Sequence, residues 1–248
     1  MNNAHIFALY HPNLHNYHEK DVLIIKDKQL RHRITNILRL KPQEPLILFD
    51  GTMVYNITID EQTLAKKDYV FGAICDIQKP HPPSTPLFLM PTLLKKEAFE
   101  HVAYYAAQMG AYSLQPILTQ KTQRAWNAEK DHERLFNIMI AACEQAKSFT
   151  IPELRQPLKL EAVPYVQSES VGLYFEDTRQ SLFEIATTLK NQKPSSISLF
   201  FGPEGGITEQ EECMLKEKGF ISCSLTSTIL RAQEAVAVGL GSIASLIR

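Results

Sequence analysis

The chain has 248 residues, 44% hydrophobic and 21% charged, which excludes a disordered tail protein and fits one large or two modest globular domains at ~100–200 residues each. A formal net charge of −1 excludes a uniformly basic nucleic-acid coat but leaves room for a local basic face.

The chain opens on MNNAHIFALYHPNLH, whose apolar patch is short and lacks basic flanks, so no signal peptide is expected. No window approaches the ~18 uninterrupted apolar residues of a membrane span, and a cytoplasmic protein is expected. His11, His15 and His18 have ligand-like spacing, but Pro12 and its polar neighbours favour a loop, and no metal site is expected. The first 80 residues read as short strands rich in branched and aromatic residues, at 6–9, 22–25, 46–49, 53–59 and 69–77. Asp50-Gly51 signals a type I′ hairpin between the third and fourth. One helix interrupts them at 27–39, with Leu30, Ile34, Ile37 and Leu38 at helical spacing. The basic residues Arg31, Arg33, Arg39 and Lys41 gather on and after it, a candidate phosphate-facing surface.

Residues 79–86 carry Pro80, Pro82, Pro83 and Pro86, which cannot sustain a helix or a central strand, so a stiff interdomain linker is expected. Beyond it the rhythm changes to strand–helix alternation: strand 87–90, helix 96–109, strand 114–118 with Pro116 near an end, and helix 129–147. Strand 171–175, helix 181–190, strand 197–201, helix 208–218, strand 221–225 and helix 231–247 complete the series. This alternation predicts an α/β fold with a largely parallel sheet, whose ligands bind at the carboxyl ends of the strands. Lys95, Lys121 and Arg124 add positive charge in this half. Trp126, the only tryptophan, sits in a polar stretch. The four cysteines, at 75, 143, 213 and 223, form no C-x-x-C pair and are expected to be reduced.

Two segments carry chemistry. Gly202-Pro203-Glu204-Gly205-Gly206-Ile207-Thr208 follows a buried strand and opens a helix, with Thr208 and Glu211 spaced as a capping box. A loop this poor in side chains lets a ligand approach its backbone closely. It fits neither the phosphate-binding G-x-x-x-x-G-K-[ST] nor the dinucleotide G-x-G-x-x-G pattern, and it holds no Lys or Arg to neutralise phosphate. That chemistry suits a nucleoside-like cofactor such as S-adenosylmethionine. The second segment, Leu225-Thr226-Ser227-Thr228-Ile229-Leu230-Arg231, leads from a strand into a helix that is apolar nearly all round through Val236, Val238, Leu240, Ile243, Leu246 and Ile247. Such a helix is expected to be buried, in a core or against a partner chain. Arg231 at its start would face a ligand or pair with a carboxylate.

GPEGGIT followed within thirty residues by ILRA resembles the RsmE-type ribosomal RNA methyltransferases of the SPOUT superfamily. Ile37-Leu38-Arg39 and Leu48-Phe49-Asp50-Gly51 match motifs of that family's PUA-like RNA-binding domain. Ala141-Ala142-Cys143-Glu144-Gln145 with Ile151-Pro152-Glu153 matches its central helix. The resemblance implies a small PUA-like β-barrel domain over 1–78, and a SPOUT methyltransferase domain over 87–248 that ends in a trefoil knot. It implies S-adenosylmethionine held by Phe175, Glu176, Gly202, Pro203, Glu204, Gly205, Gly206, Leu225, Thr226, Ile229, Leu230 and Arg231. It also implies methylation of N3 of a uridine in 16S rRNA. A positive charge near the uracil oxygens would stabilise the developing anion, which makes Arg231 the catalytic candidate, and Arg31, Arg33, Arg39, Lys95, Lys121 and Arg124 are the candidate RNA contacts. The family's homodimer would be built through the C-terminal helix, and the substrate would be the assembled small subunit. The chain departs from the family pattern at Tyr105, Gln108, Ser148, Thr228 and Gln233. A non-catalytic rRNA-binding descendant, or a methyltransferase with another RNA target, is the alternative reading.

Overall fold

A computed structural model describes residues 6–176 and 180–247. The outer domain limits, 1 and 248, lie outside the described residues. Residue contacts divide the chain between His81 and Pro82, inside the proline-rich stretch.

The first unit holds β1 (Phe7–Tyr10), β2 (His18–Glu19), β3 (Val22–Lys26), α1 (Lys28–His32), β4 (Pro45–Phe49), β5 (Val54–Ile59), α2 (Gln62–Ala65) and β6 (Tyr69–Gln78). Its strands form one six-stranded sheet in the order β1-β4-β5-β6-β3-β2. The β1–β4 pair is parallel and the rest antiparallel. Alternation along β4 and β5 sends Leu46, Leu48, Tyr55, Ile57 and Ile59 into one core with Leu23, Ile25, Leu30 and Ile34.

Two local expectations change here. The turn after β4 has positive φ at Gly51 (87°) alone, whereas a type I′ turn needs it at both central residues. The Asp50 carboxylate organises this turn instead. It accepts from the Thr52 amide and hydroxyl and from the Met53 amide, while its second oxygen accepts from the Leu14 amide. Burial opposes ionisation there, but those hydrogen bonds prevail and hold its pKa below the usual carboxylate value. The helix expected over 27–39 is α-helical only to His32. It starts on Asp27, whose side chain caps the Gln29 and Leu30 amides, and then widens into a π turn over Arg33–Ile37. The Leu38 amide reaches the Arg33 carbonyl, and Arg39 reverses the chain with φ 55°.

The second unit holds β7 (Leu87–Pro91), α3 (Lys96–Gln108), β8 (Ser113–Leu114), β9 (Ile117–Leu118), α4 (Ala128–Ala146), β10 (Glu153–Leu154) and β11 (Leu158–Lys159). It continues with β12 (Ser170–Phe175), α5 (Leu182–Gln192), β13 (Ser196–Phe201), α6 (Glu209–Glu217), β14 (Phe220–Cys223) and α7 (Ala232–Leu246). Six strands make one sheet in the order β10-β8-β7-β13-β12-β14, every pair parallel. The strand expected over 114–118 is split. Pro116, which has no amide to give a ladder, separates β8 in the main sheet from β9, which pairs with β11 in a two-stranded ribbon.

After β14, at the sheet edge, the chain returns to lay α7 against β7, β13, α3 and α5. Gly239 permits this: a Cβ there would stand 2.8 Å from the Phe201 ring. The helix is buried on one face only. Ala232, Val236, Gly239, Leu240 and Ile243 point inward, with Ile243 at 0% exposure, while Val238 is 39% exposed. Ile243 therefore belongs to the core of its own unit, and the face left for a partner is the one that carries Val238. Among the described residues no helix is long and apolar enough to cross a membrane.

Candidate functional site

The carboxyl ends of β12, β13 and β14 converge because the three strands are in register: Phe175 lies beside Phe201 and beside Cys223. The Phe175 and Phe201 rings stack at 4.4 Å. The Glu176 amide donates to the Cys223 carbonyl, and Ser224 and Leu182 continue the pairing beyond the strands. The segments leaving these ends enclose a cavity of about 370 Å³, within the usual range of small-molecule sites.

The 202–208 loop turns tightly. The Gly206 amide donates to the Pro203 carbonyl, and Gly206 adopts φ 66°, a conformation that a side chain would strain. The capping box expected at Thr208 and Glu211 forms. Glu211 is also a buried anchor. One carboxylate oxygen accepts from the Gln120 amide at 2.7 Å, and the other accepts from the Thr208 amide and hydroxyl. The loop over 225–230 is braced internally by the Thr226 hydroxyl, which donates to the Thr228 carbonyl at 2.6 Å.

Of the residues expected at the cofactor, Phe175, Glu176, Gly202, Pro203, Glu204, Gly206, Leu225, Thr226, Ile229 and Leu230 line the cavity. Gly205 and Arg231 do not. Gly205 faces away, with its carbonyl accepting from Lys121 Nζ at 2.6 Å. Arg231 is the N-cap residue of α7, exposed between Leu230 and Ala232, both of which line the cavity.

The expected set lacked eight lining residues: Ser227, Thr228 and Ala232 in or just after the second loop, and Tyr174, Phe200, Ile207, Glu212 and Ala235. Strand alternation was the available signal for Phe200, two residues before Gly202, whereas it would assign Tyr174 to the face opposite its neighbour Phe175. Nothing in the sequence pointed to Glu212, which reaches the cavity from α6. The Tyr174 hydroxyl donates to Glu212 at 3.3 Å, and Lys216 pairs with the same carboxylate. Burial, with the Glu176 and Glu212 carboxylates nearby, pushes the Tyr174 phenol up to about 12, while the bond from Lys216 holds Glu212 below the usual carboxylate value. Among the described residues the cavity lining contains three carboxylates, Glu176, Glu204 and Glu212, and no Lys or Arg.

The expected RNA contacts divide. Arg39 and Lys95 are exposed. Arg33 is half-buried on the π turn. Arg31 is engaged within the first unit, where its guanidinium donates to the Thr63 and Leu64 carbonyls and so caps α2. Arg124 is mostly buried in an ion pair with Asp131, which also accepts from the Asn127 amide at the start of α4. Lys121 braces the glycine loop. Of the departures from the family pattern, Thr228 lines the cavity, and Gln108 donates to Gln145 across α3 and α4 at 3.0 Å. Among the described residues no group of three or more His, Cys, Asp or Glu side chains is placed to hold a metal ion. His11 is buried against Asp27 and Tyr17, and His18 packs on Tyr55.

Comparison with known proteins agrees with this architecture. The chain is 29% identical over 224 residues to the ribosomal RNA small subunit methyltransferase E of Rickettsia conorii, covering 86% of this chain and 85% of that one. A methyltransferase of Legionella pneumophila, solved with its bound cofactor SAM, superposes with a TM-score of 0.80 at 25% identity over 98% of both chains. The ribosomal RNA small subunit methyltransferase E of Neisseria gonorrhoeae, solved with S-adenosyl methionine, shares the fold with a TM-score of 0.80 at 24% identity, again over 98% of both chains. The family model described as an RNA methyltransferase domain matches residues 81–244, nearly all of the unit that builds the cavity, and the chain belongs to that RNA methyltransferase family.

Proposed function

We propose that the cavity holds S-adenosylmethionine and that the protein methylates N3 of a specific uridine in 16S rRNA of the small ribosomal subunit. The observation that carries this reading is the chemistry of the lining: apolar walls, backbone-rich loops and three carboxylates, with no cation among the described lining residues to meet a phosphate. A polyphosphate would be repelled there, whereas a nucleoside bearing positive charge is matched in shape and sign. Relatives named for small-subunit rRNA methylation, and two similar structures solved with this cofactor, support the same assignment.

When bound, S-adenosylmethionine supplies a methyl group activated by its sulfonium. The chain's own residues do the rest. Glu176, at the end of β12, is placed to accept from ribose hydroxyls, and Phe175, Phe200, Ile207 and Leu230 offer apolar contact to a purine. The loops at 202–206 and 225–230 present backbone donors and acceptors. Arg231, exposed beside the cavity, would hold the negative charge that develops on the uracil oxygens as its N3 proton leaves. N3 lies on the Watson–Crick edge, so the target uridine reacts unpaired or extruded.

Residues 1–78 act in this reading as a PUA-like RNA-binding domain, with Arg33, Arg39 and Lys41 toward phosphate. Residues 79–86 form the linker and 87–248 a SPOUT domain. Its knotted C-terminus is supported by the path of the chain. The segment from β14 to α7 runs from the sheet edge back to the sheet centre, past the segment after β12 with which it pairs. The working form is a cytoplasmic homodimer joined through the outward face of α7, acting on the assembled small subunit.

Calorimetric titration with S-adenosylmethionine tests the cofactor. Treating small subunits from a strain lacking the protein tests the reaction: a new reverse-transcription stop one position before a single uridine is expected. Arg231→Ala should abolish that stop while cofactor still binds. A methyl group found on a ribose oxygen or on another base would overturn the uridine-N3 assignment.

A further inference from the structure

A second cavity, of about 230 Å³, lies on the same sheet nearer the amino ends of the strands. Its floor includes one cross-strand row. Phe220 on β14 neighbours Gly172 on β12, which neighbours Ser198 on β13, then Phe88 on β7 and Ser113 on β8. The next row toward the carboxyl ends, Tyr174, Phe200 and Met90, is apolar and belongs to the packed cluster beneath Leu215 and Leu160. That cluster separates the two cavities, since Tyr174 and Phe200 line the first while Met90, Val163 and Phe220 line the second. Rows two residues apart on a strand are roughly 7 Å apart.

Serine is out of place in this row by the ordinary rule for parallel sheets, whose strands are apolar on both faces. Ser198 sits in the middle of a central strand. Ser113 is 0% exposed, and its hydroxyl has no hydrogen-bond partner. A buried hydroxyl in that state calls for a ligand or a bound water. Ser170 and Ser196 satisfy each other at 2.8 Å. Gly172 lets the 163–167 segment form a wall, because a Cβ there would meet Val166 at 2.5 Å. The remaining lining pairs the rings of Phe88 and Tyr165, the latter with Lys218 Nζ 4.9 Å over one face, with the amides Gln115 and Gln167. The Nε2 atoms of these amides donate to the Gln156 and Tyr165 carbonyls and leave their oxygens to accept. Among the described residues Arg155 is the one charged residue in the lining, with its guanidinium 5.7 Å over the Phe88 ring and bonded to the exposed Glu153. Among the described lining residues the two cavities therefore differ in character: carboxylates and no Lys or Arg in the first, Arg155 and no carboxylate in the second.

We infer that the second cavity takes one unpaired base of an RNA strand. Aromatic surface for the face of the base, hydroxyls and amides for its edge, and a single guanidinium for the adjoining phosphate are what single-stranded RNA recognition uses. The inference rests on RNA as the substrate class but not on which base is methylated, so the two fail separately. Wild-type protein that methylates small subunits but shows no oligonucleotide binding here would overturn only the second site.

The test uses the full-length protein and a short single-stranded oligoribonucleotide carrying 4-thiouridine. Irradiation and peptide mass spectrometry are expected to place adducts on the peptides of Phe88 or Tyr165. Ser198→Leu fills the cavity with the kind of residue a parallel strand normally carries. It should cut oligonucleotide affinity about tenfold, the loss of one stacked base, and leave the affinity for S-adenosylmethionine unchanged. Arg155→Gln, which keeps the strands intact, should weaken binding and reduce its salt dependence by about one phosphate contact. Wild-type oligonucleotide affinity in either folded variant overturns the proposal. So does free uridine that binds as tightly as the oligonucleotide, or a site that holds only water in crystals soaked with the oligonucleotide.

Discussion

Lys121 Nζ donates to the carbonyl of Gly205 at 2.6 Å, tying two loops that lie 84 residues apart in the chain. The adjacent Gln120 amide is held by buried Glu211, so the loop after β9 clamps both the glycine turn and the start of α6. A lysine that reads in sequence as an RNA contact thus braces a loop whose Glu204 and Gly206 line the cavity of about 370 Å³.

Lys121→Met retains the stem and removes the bond. For an exposed hydrogen bond worth about 1 kcal/mol, the affinity for S-adenosylmethionine should fall about fivefold, with little change in melting temperature. Calorimetry reads the first and a thermal melt the second. An unchanged dissociation constant would show that the turn holds its shape alone.

Gly239→Ala places a methyl group 2.8 Å from Phe201, whose ring is buried and stacked on Phe175. Overpacking of this kind costs about 1–3 kcal/mol, which the gain in helix propensity of about 0.5–1 kcal/mol does not offset. The melting temperature should drop, and cofactor binding should weaken because Phe175 lines the cavity. Gly241→Ala, with Met109 Sδ at 3.4 Å from the new methyl, is the control and should be neutral or stabilising.

The cysteines should fall into two classes. Cys75 and Cys213 are exposed, whereas Cys143 and Cys223 are buried. Burial, with Glu144 near the former and Glu176 near the latter, pushes both buried thiols up to about 12. At pH 8 a disulfide reagent should modify two thiols quickly and the other two only on unfolding. Four fast thiols in native protein would contradict the packing around Cys143 on α4 and Cys223 on β14.

Tyr174 makes a pH prediction. Its folded pKa, about 12, lies above the ordinary tyrosine value of 10.0, so in that window the unfolded chain gives up a proton that the folded one keeps. Its contribution to stability is complete below pH 10 and is lost as pH rises toward 12. Tyr174→Phe should lower stability at neutral pH by removing the bond to Glu212, and flatten the alkaline decline. Denaturant melts at pH 8 and pH 11 give both quantities. A decline as steep as that of the wild type would assign the alkaline sensitivity to other groups.

Val238 and Ile243 separate association from folding. Val238→Asp changes a residue that is 39% exposed on the outer face of α7 and should yield a folded monomer by sedimentation. Ile243→Asp buries a charge in the unit's own core and should unfold it. A wild-type protein that sediments as a monomer at micromolar concentration would remove the basis for the dimer.

Much of the architecture was legible because it depends on local chemistry. Branched residues in short alternating runs, the T-x-x-E box at Thr208 and the glycine turn at a strand end each act within a few residues. They marked β12, β13, α6 and the cavity loop correctly. The segment over 225–230 was likewise visible as a polar turn between a strand and an apolar helix. Glu212 was not visible, because an acidic residue in the first turn of a helix reads as a dipole partner until the fold brings it beside Tyr174.

Three other features required tertiary structure. The split of 114–118 depends on which strand Pro116 would have paired with, and the π turn at Arg33–Ile37 is not expressed in apolar spacing. The basic residues gave the clearest lesson: Arg31, Lys121 and Arg124 have the same charge as Arg39 and Lys95, yet their partners are the Thr63 and Leu64 carbonyls, the Gly205 carbonyl and Asp131. Sequence determined where charge, turns and apolar stripes lie along the chain. Only the fold decided which charges remain free for a ligand, because a guanidinium or ammonium bonds to whichever carbonyl or carboxylate the distant parts of the chain bring within reach.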